Sequence, residues 1–385
     1  MVQWRGLEAG WPPEAVAGIE KDSVNGVQLN VYADRPKSLP DTLELSARRF
    51  PNKVALIFGE NRLTYAQFED LVQRAAFGLR GLGVGKGDRV ATLVTNGIPF
   101  CITFYATLAS GAIAVPLNTM LKQRELEFML RDSGSRVLVV NREWWPNVED
   151  VLSLTQVKHV LMTEDEDLPP NVMPFGQLLR EPPGHPARAE IAEHDIAAIV
   201  YTSGTTGLPK GAMVTHFNMI HTAINYERCF RIQSEETTLI CAPLFHITGL
   251  AAQLTTQVYL GGTSVLIPRF NAQSMLEHIA REKVTWTFGT AAMYVMCLAV
   301  PNHEDYDVSS VRLVAYGGSP MPPETIGRLR QWFPGARFHN AYGSTETTSP
   351  TSIMANEHLE AKVTSVGWPV PVGEIRVLDP ETGRE

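Results

Sequence analysis

Apolar residues along the chain fall into short runs and helical stripes that take turns over most of its length. A short helix opened by Thr42 ends before Pro51, and Lys53 to Phe58 with Arg62 to Thr64 read as a small hairpin around Gly59. Thr64-Tyr-Ala-Gln67 has the form of a capping box, which starts a helix. Phe68, Leu71, Val72, Ala75, Leu79 and Leu82 then recur on one face at helical spacing, and Gly83 ends the run. Arg89 to Thr95, Ile113 to Asn118, Arg136 to Asn141 and Val157 to Thr163 read as strands. An uncharged helix follows the first, and a helix over Arg124 to Arg131 follows the second.

The same alternation continues. Ile196 to Val200 reads as a buried strand and His216 to Arg228 as a helix. Thr237 to Phe245, Ser264 to Pro268, Val284 to Phe288, Val311 to Tyr316 and Ala336 to Asn340 are further strands. A second uncharged helix follows Phe245, and Pro322 and Pro323 start a helix running to Phe333, proline being favoured in a first turn. This is the pattern of an α/β protein with a largely parallel sheet, and the strand count implies two sheet lobes. Residues 1–40 are rich in proline, glycine and polar side chains and read as a loosely structured lead-in. Leu168 to His185 reads as a proline-rich surface connection, and Trp144 and Trp145 as packing residues in a loop. From Val363 the pattern changes: Val366 to Gly373 is turn-rich and Glu374 to Leu378 strand-like.

Composition narrows the class. The 385 residues suffice for a large core, and the apolar and charged fractions are those of an ordinary globular protein. A net charge of −8 argues against general nucleic-acid binding, which needs a basic face. Cys101, Cys229, Cys241 and Cys297 are scattered without metal-ligand spacing and read as reduced core residues of a cytoplasmic protein. No signal-peptide pattern is visible at the N-terminus. Val90 to Leu121 carries no charge, but Asn96, Pro99, Ser110, Gly111, Pro116 and Asn118 interrupt it, so a buried helix between strands explains it better than a membrane span.

Four strings bear the candidate chemistry. Tyr201-Thr-Ser-Gly-Thr-Thr-Gly-Leu-Pro-Lys-Gly211 follows a strand and combines glycines, hydroxyls and one lysine. Glycines let backbone N–H groups crowd an anion, so the composition suits phosphate. It is not a Walker A loop, because Gly211 rather than Ser or Thr follows Lys210. Pro243-Leu-Phe-His-Ile-Thr-Gly249 places a histidine beside an aromatic ring. Tyr316-Gly-Gly-Ser-Pro-Met-Pro-Pro323 can lay a flat group against backbone, and Asn340-Ala-Tyr-Gly-Ser-Thr-Glu346 adds an aromatic ring, hydroxyls and a carboxylate.

Together, in this order, the strings resemble the adenylate-forming superfamily: acyl-CoA synthetases, aryl-CoA ligases, luciferases and peptide-synthetase adenylation domains. The resemblance runs from about Leu43 onward. It implies two stacked α/β/α-type lobes with mixed sheets and the start of a small β-barrel, with lead-in 1–40, body 41–365 and barrel start 366–385. It implies that Thr202, Ser203, Gly204, Thr205, Thr206 and Gly207 hold ATP phosphates with Lys210. Gly318, Ser319, Pro320, Asn340, Ala341, Tyr342, Gly343, Ser344 and Thr345 would hold the nucleotide, with Tyr342 stacked on adenine and Thr345 on the α-phosphate. Glu346, with Thr205, would approach Mg²⁺, a cation that prefers oxygen ligands. His246, Thr248, Gly249, Phe288, Thr290, Gly317 and Gly318 would border the acid pocket, the glycines leaving depth.

The catalytic residues implied are His246, Lys210 and Thr345. The reaction implied is ATP-dependent activation of an apolar carboxylic acid to an acyl-adenylate, followed by thioester formation with coenzyme A. Pro243 to Gly249 offers no acid to hold an amino group, which disfavours an amino-acid substrate. Alternatives are transfer to a carrier protein, a luciferase-like enzyme, or an adenylate-binding or thioesterification-only body. The family's Thr-Gly-Asp ribose anchor and mobile C-terminal domain with its lysine have no counterpart here, so the chain reads as an N-terminal body. The oligomeric state stays open, a homodimer included.

Overall fold

The computed structural model describes residues 4–24, 26–180, 189–202 and 207–384. The first segment is built into the molecule rather than leading loosely to it. It forms β1 (Trp4–Arg5), α1 (Pro13–Val16) and an antiparallel hairpin of β2 (Ile19–Val24) and β3 (Val27–Tyr32). Trp11, Ala15, Val31 and Tyr32 are buried, and the Tyr32 hydroxyl donates to Asn225 Oδ1 at 2.8 Å. A few large side chains anchor this stretch, with no periodic stripe to betray them in the sequence.

α2 (Leu39–Arg49) starts three residues before Thr42. Ser38 and Asp41 form its capping box, the Ser38 N–H donating to Asp41 Oδ2 at 2.7 Å, and Thr42 lies inside the first turn. β4 (Val54–Phe58), β5 (Asn61–Thr64) and α3 (Tyr65–Gly81) follow, with Thr64 and Gln67 capping α3 as their spacing implies. The chain then runs through β6 (Arg89–Leu93), α4 (Ile98–Ala109), β7 (Ile113–Pro116), α5 (Gln123–Ser133), β8 (Val137–Val140), β9 (His159–Met162) and β10 (Val172–Pro174). Trp144 and Trp145 lie in a 3₁₀ turn, and β10 falls inside the stretch that reads as a plain connection. β11 (Ile196–Thr202) and β12 (Lys210–Thr215) make an antiparallel hairpin, which continues directly into α6 (His216–Phe230).

The second half holds β13 (Thr237–Ile240), a π-helical stretch Thr248–Thr255 running into α7 (Thr256–Leu260), β14 (Thr263–Leu266), α8 (Ala272–Glu282), β15 (Trp286–Gly289) and α9 (Ala291–Leu298). β16 (Leu313–Gly317), α10 (Pro323–Trp332), β17 (Arg337–Tyr342), β18 (Ser352–Met354), α11 (Asn356–Leu359), β19 (Trp368–Pro369) and β20 (Glu374–Ile375) complete it.

Two mixed sheets result. One has seven strands in the order β10-β9-β8-β6-β7-β11-β12, the other nine in the order β19-β18-β17-β16-β15-β13-β14-β4-β5. Helices from both halves fill the space between them. Phe68 of α3, Phe104 of α4, Ile220 of α6 and Leu254 pack with Val139 and Val200 of the first sheet and with Leu56, Ile240 and Leu266 of the second. On the outside, α5 covers the first sheet through Leu126 and Leu130. α8, α9 and α10 cover the second through Ile279, Tyr294 and Leu329. The layers therefore run helix, sheet, helix, sheet, helix, which makes two stacked α/β/α lobes.

α4 is uncharged because protein surrounds it on all sides. No helix among the described residues is long and apolar enough to cross a membrane. After Val363, β19 pairs with β18 at the edge of the nine-stranded sheet and β20 pairs with β1, so no barrel closes among the described residues.

Candidate functional site

β13, β15, β16 and β17 are parallel neighbours, so their carboxyl ends lie along one edge of the nine-stranded sheet. From β13 the chain crosses to β14 on one side, then to β15 on the other. The connections therefore part between β13 and β15, and such a switch point leaves a crevice beyond the strand ends. Three of the four strings meet there. His246 follows β13, Thr290 follows β15, Gly317 to Pro320 close β16, and Asn340 to Glu346 end β17 and continue beyond it. Register sets their neighbours: Tyr316 lies opposite Asn340, and Gly317 opposite Ala341.

His246 is solvent-accessible but recessed, close against the Phe245 ring at 4.9 Å between centroids. The surrounding protein displaces enough water to lower its pKa below the usual histidine value. Its loop is clamped from the other lobe. Asn96, buried in the turn after β6, donates from Nδ2 to the Ala242 carbonyl at 3.0 Å and accepts from the Leu244 N–H at 2.8 Å.

Two of the glycines sit where other backbone approaches closely. A Cβ on Gly249 would lie 2.5 Å from the Pro243 carbonyl oxygen, and one on Gly317 would lie 2.4 Å from that of Ala341. Their missing side chains make room for the protein's own backbone. Gly318 has φ +76°, which favours glycine and turns the chain out of β16. Thr248 starts the π-helical stretch, and Thr290, Ser319 and Pro320 are exposed. Phe288 is buried behind Gly317, where a Cβ would lie 3.3 Å from its ring, and stands edge-on to the buried Tyr226 at 5.9 Å.

Tyr342 and Glu346 are exposed, and Gly343, Ser344 and Thr345 lie between them on a loop whose far end is fixed. The Thr222 hydroxyl of α6 reaches the carbonyls of Thr348 and Ser349 at 2.8 and 2.6 Å, and Tyr226 reaches the Ser349 hydroxyl at 3.0 Å. The Thr351 N–H returns to the Tyr342 carbonyl at 2.7 Å. α6 begins immediately after β12, so one helix connects the hairpin bearing Lys210 to the loop bearing Glu346.

At the hairpin, Thr202 lies opposite Lys210, which is exposed, and Gly207 has φ +133°. Ser203, Gly204, Thr205 and Thr206 lie outside the described residues. The Tyr201 hydroxyl donates to Asp132 Oδ2 at 2.6 Å and ties the root of the hairpin to α5. A cavity of about 1080 Å³ lies between α5 and Gly207 to Pro209, but none of the crevice residues lines it.

This arrangement offers the Lys210 ammonium and the Thr202 hydroxyl on one lobe, and the Tyr342 ring, the Glu346 carboxylate and the His246 imidazole on the other. A single exposed carboxylate fits Mg²⁺, which is held by one or two carboxylates together with substrate phosphates rather than by a full protein cage. No group of three or more metal-binding side chains occurs among the described residues. Asn96, Thr222 and Tyr226 carry no motif signal. Asn96 is conspicuous only as a polar residue inside an uncharged run.

A model of the AMP-binding enzyme family matches residues 43–385. Among curated proteins, a feruloyl-CoA synthase of Amycolatopsis sp. is 33% identical over 341 residues, covering 87% of this chain and 65% of that protein. The chain thus spans just under two thirds of that relative's length. Among solved structures, the anthranilate CoA ligase AuaEII in complex with anthranoyl-AMP superposes with TM-score 0.86 at 28% identity, covering 90% of this chain and 67% of that one. The inhibitor-bound N-terminal domain of FACL13 from Mycobacterium tuberculosis gives 0.79 at 29% identity, covering 86% and 82%.

Proposed function

This chain belongs to the AMP-binding enzyme family, and on that premise we propose that the protein carrying it activates an apolar carboxylic acid with ATP and transfers the acyl group to coenzyme A. The observation that carries the reading is the meeting of the His246, Gly317–Pro320 and Asn340–Glu346 segments at the switch point of one sheet.

The chemical obstacle is charge. A carboxylate must attack the α-phosphorus of ATP, and both partners are anionic. Lys210, the hydroxyls and N–H groups of residues 202–207, and Thr345 screen that repulsion and hold the attack in line. Tyr342 stacks on adenine, Asn340 and Ala341 meet its edge, and Gly318 to Pro320 border it. Glu346, with Thr205, holds Mg²⁺, which supplies further charge neutralisation when bound. His246 borders the acid's carboxylate, and burial lowers its pKa, which favours the neutral imidazole. The products of this half are acyl-adenylate and pyrophosphate, and the thiol of coenzyme A then displaces AMP.

The Phe288 ring behind Gly317 favours a flat aryl acid over a long alkyl chain. Residues 41–365 form the adenylating body, with 366–385 beginning a further β subdomain. Buried, unbridged cysteines suit a reducing compartment, and we place the protein in the cytoplasm.

The test is mass spectrometry of the protein with Mg-ATP and a panel of benzoic, cinnamic and fatty acids, with and without coenzyme A. An acyl-AMP peak, converted to acyl-CoA on adding the thiol, supports the reading. Absence of adenylate across the panel, together with binding of supplied acyl-AMP, would instead identify an adenylate-binding body.

A further inference from the structure

A second cavity lies on the α6 face of the nine-stranded sheet, away from the strand ends. It measures about 170 Å³ and is formed where the N-terminal segment, the end of α6, β17 and α11 meet. His339 of β17 forms part of its lining at 2% exposure, and neither ring nitrogen has a hydrogen-bond partner. A buried polar atom without a partner is costly, so each such case calls for an explanation. Arg231 and Arg337 also line the cavity, and Trp11 and Trp368 meet edge to face at 5.6 Å as an aromatic wall.

The Arg337 guanidinium is half-buried and makes no hydrogen bond or ion pair within 4 Å among the described residues. Burial, then the neighbouring Arg231, lower its pKa, and Glu236 and Glu357 oppose them from a distance without reversing the shift. Glu357 lies 3.8 Å from Arg231 and also acts on Arg337 from a distance, and both Glu357 and Arg231 are exposed at the rim. The Glu236 carboxylate is already engaged by Arg312 and Thr285. Burial, then Arg337 and Arg231, hold the His339 pKa down to about 3, so its ring is neutral and keeps one N–H to donate. The cavity has the volume of roughly five or six waters at ~30 Å³ each. Water can satisfy His339 but cannot offset the Arg337 guanidinium charge, whereas an anion does both.

We propose that this cavity is an anion-binding site, separate from the nucleotide site, in which Arg231 and Arg337 pair with a small oxyanion, a carboxylate or a phosphate, and His339 donates its N–H. The aromatic wall admits a flat group attached to that oxyanion. The site is independent of the adenylation reading, because none of its residues belongs to the crevice.

Histidine side-chain NMR of the protein, titrated separately with inorganic phosphate and with acetate, reads this directly; His339→Gln assigns the signal. A Lys210→Ala background keeps phosphate at the hairpin from contributing. The expected result is a saturable shift of the His339 ring signals with one or both anions, the stronger arm naming the source. Arg337→Met should abolish it, and Arg231→Met at the exposed rim should weaken it at least several-fold. If the His339 signals do not move, or move equally in Arg337→Met, the cavity is a water pocket and the proposal fails.

Discussion

Tyr342 stands half-exposed with its backbone held by its pairing with Ser352 of β18 and by the returning Thr351 N–H, so its ring is a fixed platform with an open face. Base–aromatic stacking is worth about 1–3 kcal/mol by alanine substitution. Tyr342→Ala should therefore raise the KM for ATP by roughly tenfold, about 1.4 kcal/mol, while the fold is untouched; steady-state kinetics and a melting curve check both halves. Phe288 is the opposite case. Phe288→Ala should cost about 3–5 kcal/mol of stability and admit bulkier acids, read by urea denaturation and by the acid panel. If bulkier acids gain nothing, Phe288 is core only. At this scale the candidate residues were legible: Lys210, His246, Tyr342 and Glu346 stand out in their strings. The reasons for the glycines were not, because the atoms that Gly249 and Gly317 must clear come from backbone segments that only the fold brings close.

Among elements, the helical stripe of α3 and its cap could be read directly, since period and capping are local properties. β10, β12 and the β2–β3 hairpin could not. They are edge or peripheral strands with mixed burial, and their partners are set by long-range pairing. The junction between lobes is likewise invisible locally. Asn96 and the 242–244 backbone are distant in sequence, yet two hydrogen bonds lock one to the other. Asn96→Ala leaves a buried carbonyl and N–H unpaired, at about 1–3 kcal/mol each. It should lower stability and loosen the His246 loop. The thioester or adenylation rate should fall while the KM for ATP holds, and a parallel rise in that KM would show a general disruption instead.

For the molecule as a whole, buried titratable groups make stability depend on pH. His339 and His221 have pKa values lowered to about 3 and about 4, chiefly by burial. Below the unfolded histidine value of about 6.5 the unfolded chain takes up protons that these rings refuse. Stability is therefore present above that pH and falls as pH drops towards 4, by about 1.4 kcal/mol per pH unit for each proton. Asp88, Glu193 and Asp195, with pKa values lowered despite desolvation by their hydrogen bonds and ion partners, lose stability in the same direction further down. Glu227, raised by burial, opposes them. Urea midpoints should fall from pH 7 to pH 4, and His339→Asn should flatten the slope by one proton; an unchanged slope would show that His339 titrates normally. At the alkaline end, Cys241 and Cys297 are pushed up to about 12 by burial, so stability should decline above about pH 8.5, where unfolded thiols ionise.

The chain's own residue order determined the α/β class, the helical stripes and the reactive strings, because hydrophobic period, capping and motif chemistry act over a few neighbours. Tertiary structure alone decided that β13, β15, β16 and β17 end side by side at a switch point, that one helical layer serves both sheets, and that Asn96 clamps the histidine loop. It alone enclosed His339 with two arginines. Those outcomes depend on strand order and on contacts between residues far apart in the chain, where burial and charge are properties of the assembled fold and of no single segment.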